Sequence, residues 1–130
     1  MFKRGIPGEI KGYYDAYKIG GRLPWKDLFQ PTIDLCINGF KISKALGNAL
    51  ITSEAFIRKD SVLSSIFVNN TTNQLLKYND TAKMPLLGKT LRIISESNTS
   101  DVFYNSEMTK NIIDEINENG LEIFFAYDHI

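Results

Sequence analysis

The side chains that could bind a metal or react through a thiol are few and lie far apart. The chain has one His and one Cys. His129 follows Asp128 close to the last residue, and a zinc site needs several convergent ligands, so we interpret this pair as a solvated tail. Cys36 falls on the apolar side of a predicted helix. A reactive thiolate needs an electropositive, partly exposed surrounding, so a buried and inert thiol is the interpretation. No metal or cofactor site and no internal disulfide is predicted.

The charged and hydroxyl side chains form no catalytic constellation either, and no catalytic residue is predicted. Glu9 is interpreted as a carboxylate in the first turn of a helix, with a role in a site as the alternative. Arg22 is interpreted as a structural clamp, with pairing to a carboxylate or stacking on Trp25 as the alternatives. The sequence contains no phosphate-binding loop and no Cys-x-x-Cys pair. Asp34, Asp114 and Glu115 are interpreted as surface charges. No role is assigned to Thr71 and Thr72.

Four asparagines begin an Asn-x-Ser/Thr triplet, the acceptor sequence for N-linked glycosylation in secreted proteins. Asn is abundant in this chain, so chance accounts for some of these triplets. The candidate modification sites are Asn69, Asn70, Asn79 and Asn98.

Length and charge exclude several classes of protein. A chain of 130 residues is one domain or a piece of one. Fifteen basic and fifteen acidic residues give no basic stripe, so nucleic acid is not a predicted partner. No apolar run approaches the ~20 residues of a membrane span. The basic start at Met1–Arg4 is not followed by the apolar segment of a signal peptide.

The densest apolar pattern lies between Gly21 and Phe40. Pro24 suits a first helical residue, and Pro31 suits the start of a second helix. Ile33 and Cys36 repeat a one-face spacing after Pro31, and Asn38-Gly39 is a left-handed stop signal. This stretch therefore predicts two short helices joined at a proline.

The rest of the chain predicts a mostly helical structure with little strand. Ser43 is the predicted N-cap of a helix that continues to Phe56. A small hairpin is predicted around Asn69–Asn73, and a loop over Tyr78–Met84. Three further helices are predicted: over Pro7–Ile19, from Pro85 through Ile94, and from Asn105 or Ser106 to Asn119-Gly120. Val62–Phe67 and Val102–Tyr104 are short apolar segments whose type is undecided.

Several of these segments together resemble the large-subunit signature of the gamma-glutamyltransferases, also called glutathione hydrolases. The family pattern includes PGE-[IV]-x-G-[YL], then GRLPW-x-x-[LV]-x-x-P-[AS]-I-x-L-A-x-x-GF, then GD-x(4)-P-x-LA-x-TL and AFY-x-G. The matching segments here are Pro7–Tyr13, Gly21–Trp25, Leu28–Pro31, Gly39-Phe40, Asp80-Thr81, Pro85-Leu86, Thr90-Leu91, Val102–Asn105, Ile112-Ile113 and Asn119-Gly120. The resemblance covers about residues 6–120 and is more specific than any single short motif.

The resemblance implies a fold and an activity for a full-length relative. The implied fold is the αββα sandwich of the N-terminal-nucleophile hydrolases, of which this chain would form mostly a helical lobe. A threonine freed by self-cleavage would attack the gamma-glutamyl amide of glutathione and pass the group to water, amino acids or peptides. That threonine belongs to the small subunit of the same precursor, which is the implied partner together with gamma-glutamyl compounds. The implied location is extracellular or at the cell surface.

The prediction is therefore one partial domain over residues 1–130, with a divergent tail over 121–130, that forms a fragment of the large subunit. The alternative is a catalytically inactive truncated relative that acts as a small binding or interaction module. In the family order the nucleophile lies beyond Ile130, so we expect the isolated chain to be inactive. We also expect it to be marginally stable, because strands that would cover its apolar helix faces are missing from it.

Overall fold

The computed structural model describes residues 3–5, 7–118 and 122–124. Helices dominate these residues, which confirms the mostly helical prediction. The helices are α1 (Glu9–Gly20), α2 (Trp25–Asn38), α3 (Lys44–Thr52), α4 (Glu54–Lys59), α5 (Ser61–Phe67), α6 (Pro85–Glu96), α7 (Asp101–Tyr104) and α8 (Glu107–Glu118). The strands are β1 (Lys3–Gly5), β2 (Phe40–Lys41), β3 (Val68–Asn69), β4 (Gln74–Leu75), β5 (Thr81–Ala82) and β6 (Glu122–Phe124).

The chain divides into two compact units. Unit 1 comprises Met1–Leu28 and Arg92–Ile130, and unit 2 comprises Phe29–Leu91. The division falls inside α2 and inside α6. The assignment of all 130 residues to one partial domain stays a prediction.

Unit 2 is built around a continuous apolar core. The predicted cap of α3 is confirmed, because the Ser43 hydroxyl accepts from the backbone N–H of Leu46 at 3.1 Å. Asp60, which was not predicted as a cap, accepts from the N–H of Leu63 at 2.8 Å at the start of α5. The predicted helix from Ser43 is interrupted at Ser53, where α4 begins, and Val62–Phe67 belongs to α5. The buried core consists of Ile42, Leu50, Ile57, Phe67, Val68 and Ala82.

Short strands pair with one another within each unit. In unit 2, β3 pairs antiparallel with β4, so the predicted hairpin around Asn69–Asn73 is confirmed. The antiparallel pair of β2 with β5 corrects the loop predicted over Tyr78–Met84, where two residues are too few to show a strand period. In unit 1, β1 pairs parallel with β6.

The region around Pro31 differs from its prediction. Helix α2 runs continuously from Trp25 to Asn38 with Pro31 inside it, so the two-helix prediction is wrong. A proline inside a helix costs about 3 kcal/mol. Burial of Ile33 and Cys36, at about 1.5–3 kcal/mol for a large apolar side chain, offsets that cost. The predicted stop is confirmed, because Gly39 has φ +102 and its N–H donates to the Leu35 carbonyl.

The helices of unit 1 follow their predictions closely. Helix α1 starts two residues after the predicted Pro7 and ends at Gly20. Helix α8 has Ser106 as its N-terminal cap, because the Ser106 hydroxyl accepts from the N–H of Met108 at 3.1 Å. The Asn119-Gly120 end predicted for this helix lies outside the described residues.

Candidate functional site

The Trp of the Gly-Arg-Leu-Pro-Trp segment forms the centre of unit 1. Trp25 is only 3% exposed. The Tyr14 ring packs edge-on against it with ring centroids 5.3 Å apart, and the Tyr17 ring lies at 5.2 Å. The indole N–H donates to the carbonyl of Ile94 at 3.2 Å. A large apolar surface and one directed hydrogen bond therefore fix this side chain.

Local sequence explains how α1 supplies the two rings. Tyr14 and Tyr17 are three residues apart, so they project from one side of the helix. The chain then turns at Gly21, whose N–H donates to the Tyr17 carbonyl at 2.7 Å. A Cβ at Gly21 would lie 2.6 Å from that carbonyl oxygen and closer still to the Tyr17 ring. A glycine is required here because the helix end and the ring lie against its backbone.

The turn after α6 joins the same cluster through a hydrogen bond. The Tyr14 hydroxyl donates to the carbonyl of Asn98 at 2.9 Å. Asn98 has φ +51, a left-handed conformation that Asn tolerates better than most residues. The Lys18 ammonium lies 5.1 Å from the centre of the Tyr14 ring. Tyr14 thus contacts three parts of unit 1.

A second tyrosine links two of the motif segments. The Tyr104 hydroxyl donates to the Pro7 carbonyl at 2.7 Å and accepts from the Lys11 N–H at 3.2 Å. Sequence reasoning noted the Pro7 and Tyr104 motifs separately and missed this contact. The two residues are 97 positions apart, so no local sequence pattern could have reported the contact.

The two charged candidates lie at the surface. Glu9 accepts a hydrogen bond from the Tyr13 hydroxyl at 2.5 Å, and this bond together with the carboxylate charge raises the pKa of Tyr13. Arg22 is exposed and makes no ion pair within the described part of the chain. Neither side chain points to a reaction.

The other candidates take the surroundings expected of them. Cys36 is a buried free thiol, 5% exposed. Asp34 accepts from the Gln30 amide at 2.7 Å, and Asp114 and Glu115 are exposed. His129 lies outside the described residues. Among residues 7–118 and the two described strands, no group of His, Cys, Asp and Glu side chains could hold a metal ion.

The four glycosylation candidates are all exposed. Asn69 and Asn70 lie at the β3–β4 turn, Asn79 lies before β5, and Asn98 lies between α6 and α7. Exposure is compatible with modification but does not select among them, and their use stays a prediction.

The described residues thus form a helical scaffold in which Trp25 packs against α1 and hydrogen-bonds to α6, and Tyr104 joins the Val102–Asn105 segment to the Pro7–Tyr13 segment. The Gamma-glutamyltranspeptidase family model matches residues 3–126. The chain belongs to that family, as its motifs indicate. The match also includes residues 121–126, part of the tail that was predicted to diverge.

Individual relatives agree with the family match. The chain is 40% identical over 116 residues to "Glutathione hydrolase 3" of Arabidopsis thaliana, and the match covers 89% of this chain and 18% of that protein. It is 34% identical over 122 residues to "Glutathione hydrolase 5 proenzyme" of Rattus norvegicus, covering 92% and 20%. A third relative, "Scoloptoxin SSD14" of Scolopendra dehaani, is 34% identical over 115 residues, covering 88% and 20%.

Solved structures share the fold. The gamma-glutamyltranspeptidase of Helicobacter pylori superposes with a TM-score of 0.80 at 24% identity, covering 91% of this chain and 33% of that one. The gamma-glutamyltranspeptidase of Pseudomonas nitroreducens, complexed with L-DON, gives a TM-score of 0.74 at 26% identity, covering 92% and 33%. The chain therefore spans about a fifth of the curated relatives it matches and a third of these solved chains. No helix in the described part has the length and apolar character to cross a membrane.

Proposed function

We propose that this chain supplies part of the large subunit of a gamma-glutamyltransferase that hydrolyses glutathione or transfers its gamma-glutamyl group. The observation that carries the proposal is the family match over residues 3–126. The hydrogen bonds of Tyr104 support it, because they join the Val102–Asn105 segment to the Pro7–Tyr13 segment in unit 1. In this proposal the segment is a scaffold for a reaction whose nucleophile lies elsewhere.

We propose the αββα sandwich as the fold of the complete protein. Large apolar side chains are exposed on the helices of unit 2: Ile51 is 66% exposed, Phe56 65% and Leu86 70%. Exposed apolar surface of this kind favours packing against a further layer. The same surface supports the expectation of marginal stability for the isolated chain.

The proposed reaction belongs to the small subunit of the same precursor. The hydroxyl of its N-terminal threonine attacks the gamma-glutamyl carbonyl carbon, and its own α-amine takes the hydroxyl proton. The amide bond breaks and the proton goes to the leaving amine. Water or an acceptor amine then releases the glutamyl group from the ester. The proposed substrates are glutathione and other gamma-glutamyl compounds, and the proposed location is extracellular or at the cell surface.

The first test is hydrolysis of a chromogenic gamma-glutamyl anilide by the purified 130-residue chain. We expect no release above buffer. Turnover by this chain alone would contradict the assignment of the nucleophile to another segment.

The second test places the chain in a complete enzyme. A chimera of the Arabidopsis glutathione hydrolase 3, with its matching segment replaced by this one, is assayed beside the unmodified plant enzyme. We expect self-cleavage into two subunits and measurable hydrolysis. A chimera that folds and cleaves itself but does not hydrolyse the anilide would favour the alternative of an inactive interaction module.

A further inference from the structure

The turn between β3 and β4 is fixed by side chains of its own asparagines. The Asn69 side-chain carbonyl accepts from the backbone N–H groups of Thr71 at 2.9 Å and Thr72 at 3.0 Å. The Asn73 N–H donates to the Asn69 carbonyl at 2.8 Å. Such bonds hold a tight turn in one conformation.

The far side of this turn is attached to helix α4. Asn73 has φ +53, and the Arg58 guanidinium donates to its side-chain oxygen at 3.3 Å and its carbonyl at 3.1 Å. Arg58 is itself held by Glu54, with Nε and Oε1 2.7 Å apart. The turn is therefore a rigid projection whose tip is the region of Asn70.

Asn70 differs from its two asparagine neighbours in the turn. Its side chain is exposed and forms no hydrogen bond within the described residues, whereas the amides of Asn69 and Asn73 are both engaged. Thr71 and Thr72, which follow it, are also exposed. A group attached to the Asn70 amide nitrogen would displace no contact of the fold.

We propose that Asn70 is an N-glycosylation site, an inference that rests on the proposed extracellular location. The donor is a lipid pyrophosphate-linked oligosaccharide. A bond forms between Nδ2 of Asn70 and the anomeric carbon, and the bond from that carbon to the phosphate oxygen breaks. The lipid pyrophosphate leaves, and Nδ2 loses one proton. Asn70-Thr71-Thr72 is the acceptor triplet.

The other three triplets are less suitable in the folded chain. The Asn69 amide is held against the turn by its two acceptor bonds. Ser100, the hydroxyl residue of the Asn98 triplet, is 3% exposed. Asn79 has φ +71, and its N–H donates to the Ile42 carbonyl at 2.9 Å. At each of these positions a residue of the triplet is hydrogen-bonded or buried in the folded chain.

Two threonine substitutions separate the overlapping triplets without changing an asparagine. Thr72→Ala removes only the Asn70 triplet, and Thr71→Ala removes only the Asn69 triplet. Both retain the backbone N–H groups that bond to Asn69, so the turn is preserved. They are therefore matched variants with opposite expected results.

The experiment expresses the full chain behind a cleavable secretion signal in a eukaryotic host. Peptide-N-glycosidase treatment in ¹⁸O-water converts each glycosylated Asn into labelled Asp. Mass spectrometry of the tryptic peptide 60–77 then locates the label. We expect the label at Asn70 in the wild type and in Thr71→Ala, and its loss from this peptide in Thr72→Ala.

Secreted wild-type protein without a label at Asn70 would overturn the proposal. A label that survives Thr72→Ala but is lost in Thr71→Ala would overturn it in favour of Asn69. Because the added signal delivers the chain to the secretory pathway, these results do not depend on its natural location. That location is measured separately, by fractionation of the source cells.

Discussion

The two units are stabilised in different ways. Unit 2 buries a continuous set of aliphatic and aromatic side chains, in which Ile42, Leu50 and Ile57 are 1%, 3% and 4% exposed. Unit 1 is centred on Trp25, with the Tyr14 and Tyr17 rings beside it. The Trp25 indole and the hydroxyls of Tyr14 and Tyr104 donate hydrogen bonds to backbone carbonyls. Unit 2 therefore depends mainly on buried area, and unit 1 depends more on the geometry of a few groups.

This difference has consequences for tolerance to substitution. Apolar cores accept swaps of similar volume at a cost usually below about 1.5 kcal/mol. A hydrogen-bonded aromatic side chain has no such equivalent, because its replacement also removes a directed hydrogen bond together with the packed ring. Unit 1 should thus tolerate fewer substitutions at its centre than unit 2 does.

The largest effect is expected at Trp25. Trp25→Ala removes the centre of the aromatic cluster and should cost about 3–5 kcal/mol of the free energy of unfolding. A domain has only about 5–15 kcal/mol in total, so this loss should abolish stable structure in unit 1. Hydrogen exchange followed by mass spectrometry measures it as lost amide protection in α1 and α7.

Trp25→Phe is the matched variant, because it keeps a ring but removes the indole donor from the Ile94 carbonyl, which then accepts from the Ser97 hydroxyl at 2.8 Å. It should cost less than Trp25→Ala but more than a volume change alone. Equal protection in wild type and Trp25→Phe would show that the hydrogen bond contributes nothing, and the contrast between the units would then be wrong.

The second-largest loss of stability is expected in unit 2, which depends mainly on buried apolar area. Leu50 is 3% exposed in the core of unit 2, and Leu50→Ala should cost about 2–5 kcal/mol. Its neighbour Ile51 is 66% exposed, and Ile51→Ala should change stability by no more than about 0.5 kcal/mol. Urea unfolding followed by circular dichroism gives both values. Similar losses in the two variants would mean that burial does not govern the stability of this unit.

In both units the sequence predicted the helices better than it predicted the contacts between residues far apart in the chain. Spacing of apolar residues identified most helices, and the caps at Ser43 and Ser106 were readable because one hydroxyl serves a nearby N–H. The Tyr104–Pro7 bond joins residues 97 positions apart, and no local pattern reports such a contact. Pro31 was misassigned because local propensity ignores burial further along α2.

The candidate site was predictable only through the family motifs. Charge, spacing and residue type gave no catalytic group, and that absence stays a prediction. The motif residues instead serve packing, as the contacts of Trp25 and Gly21 show. The sequence did not show why each motif position holds its residue, because the cause is a contact between residues that meet only in the folded chain.

A smaller effect compares one glycine from each unit. Around Gly12 in α1 a Cβ would meet nothing within 4 Å, so Gly12→Ala should stabilise the helix by up to about 1 kcal/mol. At Gly88 in α6 a Cβ would lie 3.1 Å from both the Cys36 Cβ and the Ile37 Cγ1. The cost of overpacking, about 1–3 kcal/mol, should exceed the gain in helix propensity, for a net loss of about 1 kcal/mol. Thermal unfolding measures both, and stabilisation by Gly88→Ala would show that α2 and α6 can separate at no cost.

The smallest expected effect is a pH-dependent change in the stability of unit 1, caused by the ion pairs of Asp15. The Asp15 carboxylate lies 2.9 Å from the Lys18 ammonium and 3.3 Å from that of Lys11. Hydrogen bonding to Lys18, followed by that to Lys11, lowers the pKa of Asp15, and the bond to Asp15 raises the pKa of Lys18. Both pairs are exposed to solvent, which keeps their contribution small.

The sign of the pH dependence follows from the lowered pKa of Asp15. A carboxyl whose pKa is lower in the folded state stabilises the fold above its unfolded pKa of about 4, and this contribution is lost as the pH falls through the folded pKa. Asp15→Asn should therefore lower the Tm slightly at pH 7, and the difference from wild type should vanish in acid. Added salt at pH 7 should reduce the same difference, because it screens exposed charges. A difference that persists at low pH and in high salt would have to come from helix propensity, and the ion pairs on α1 would then contribute nothing to unit 1.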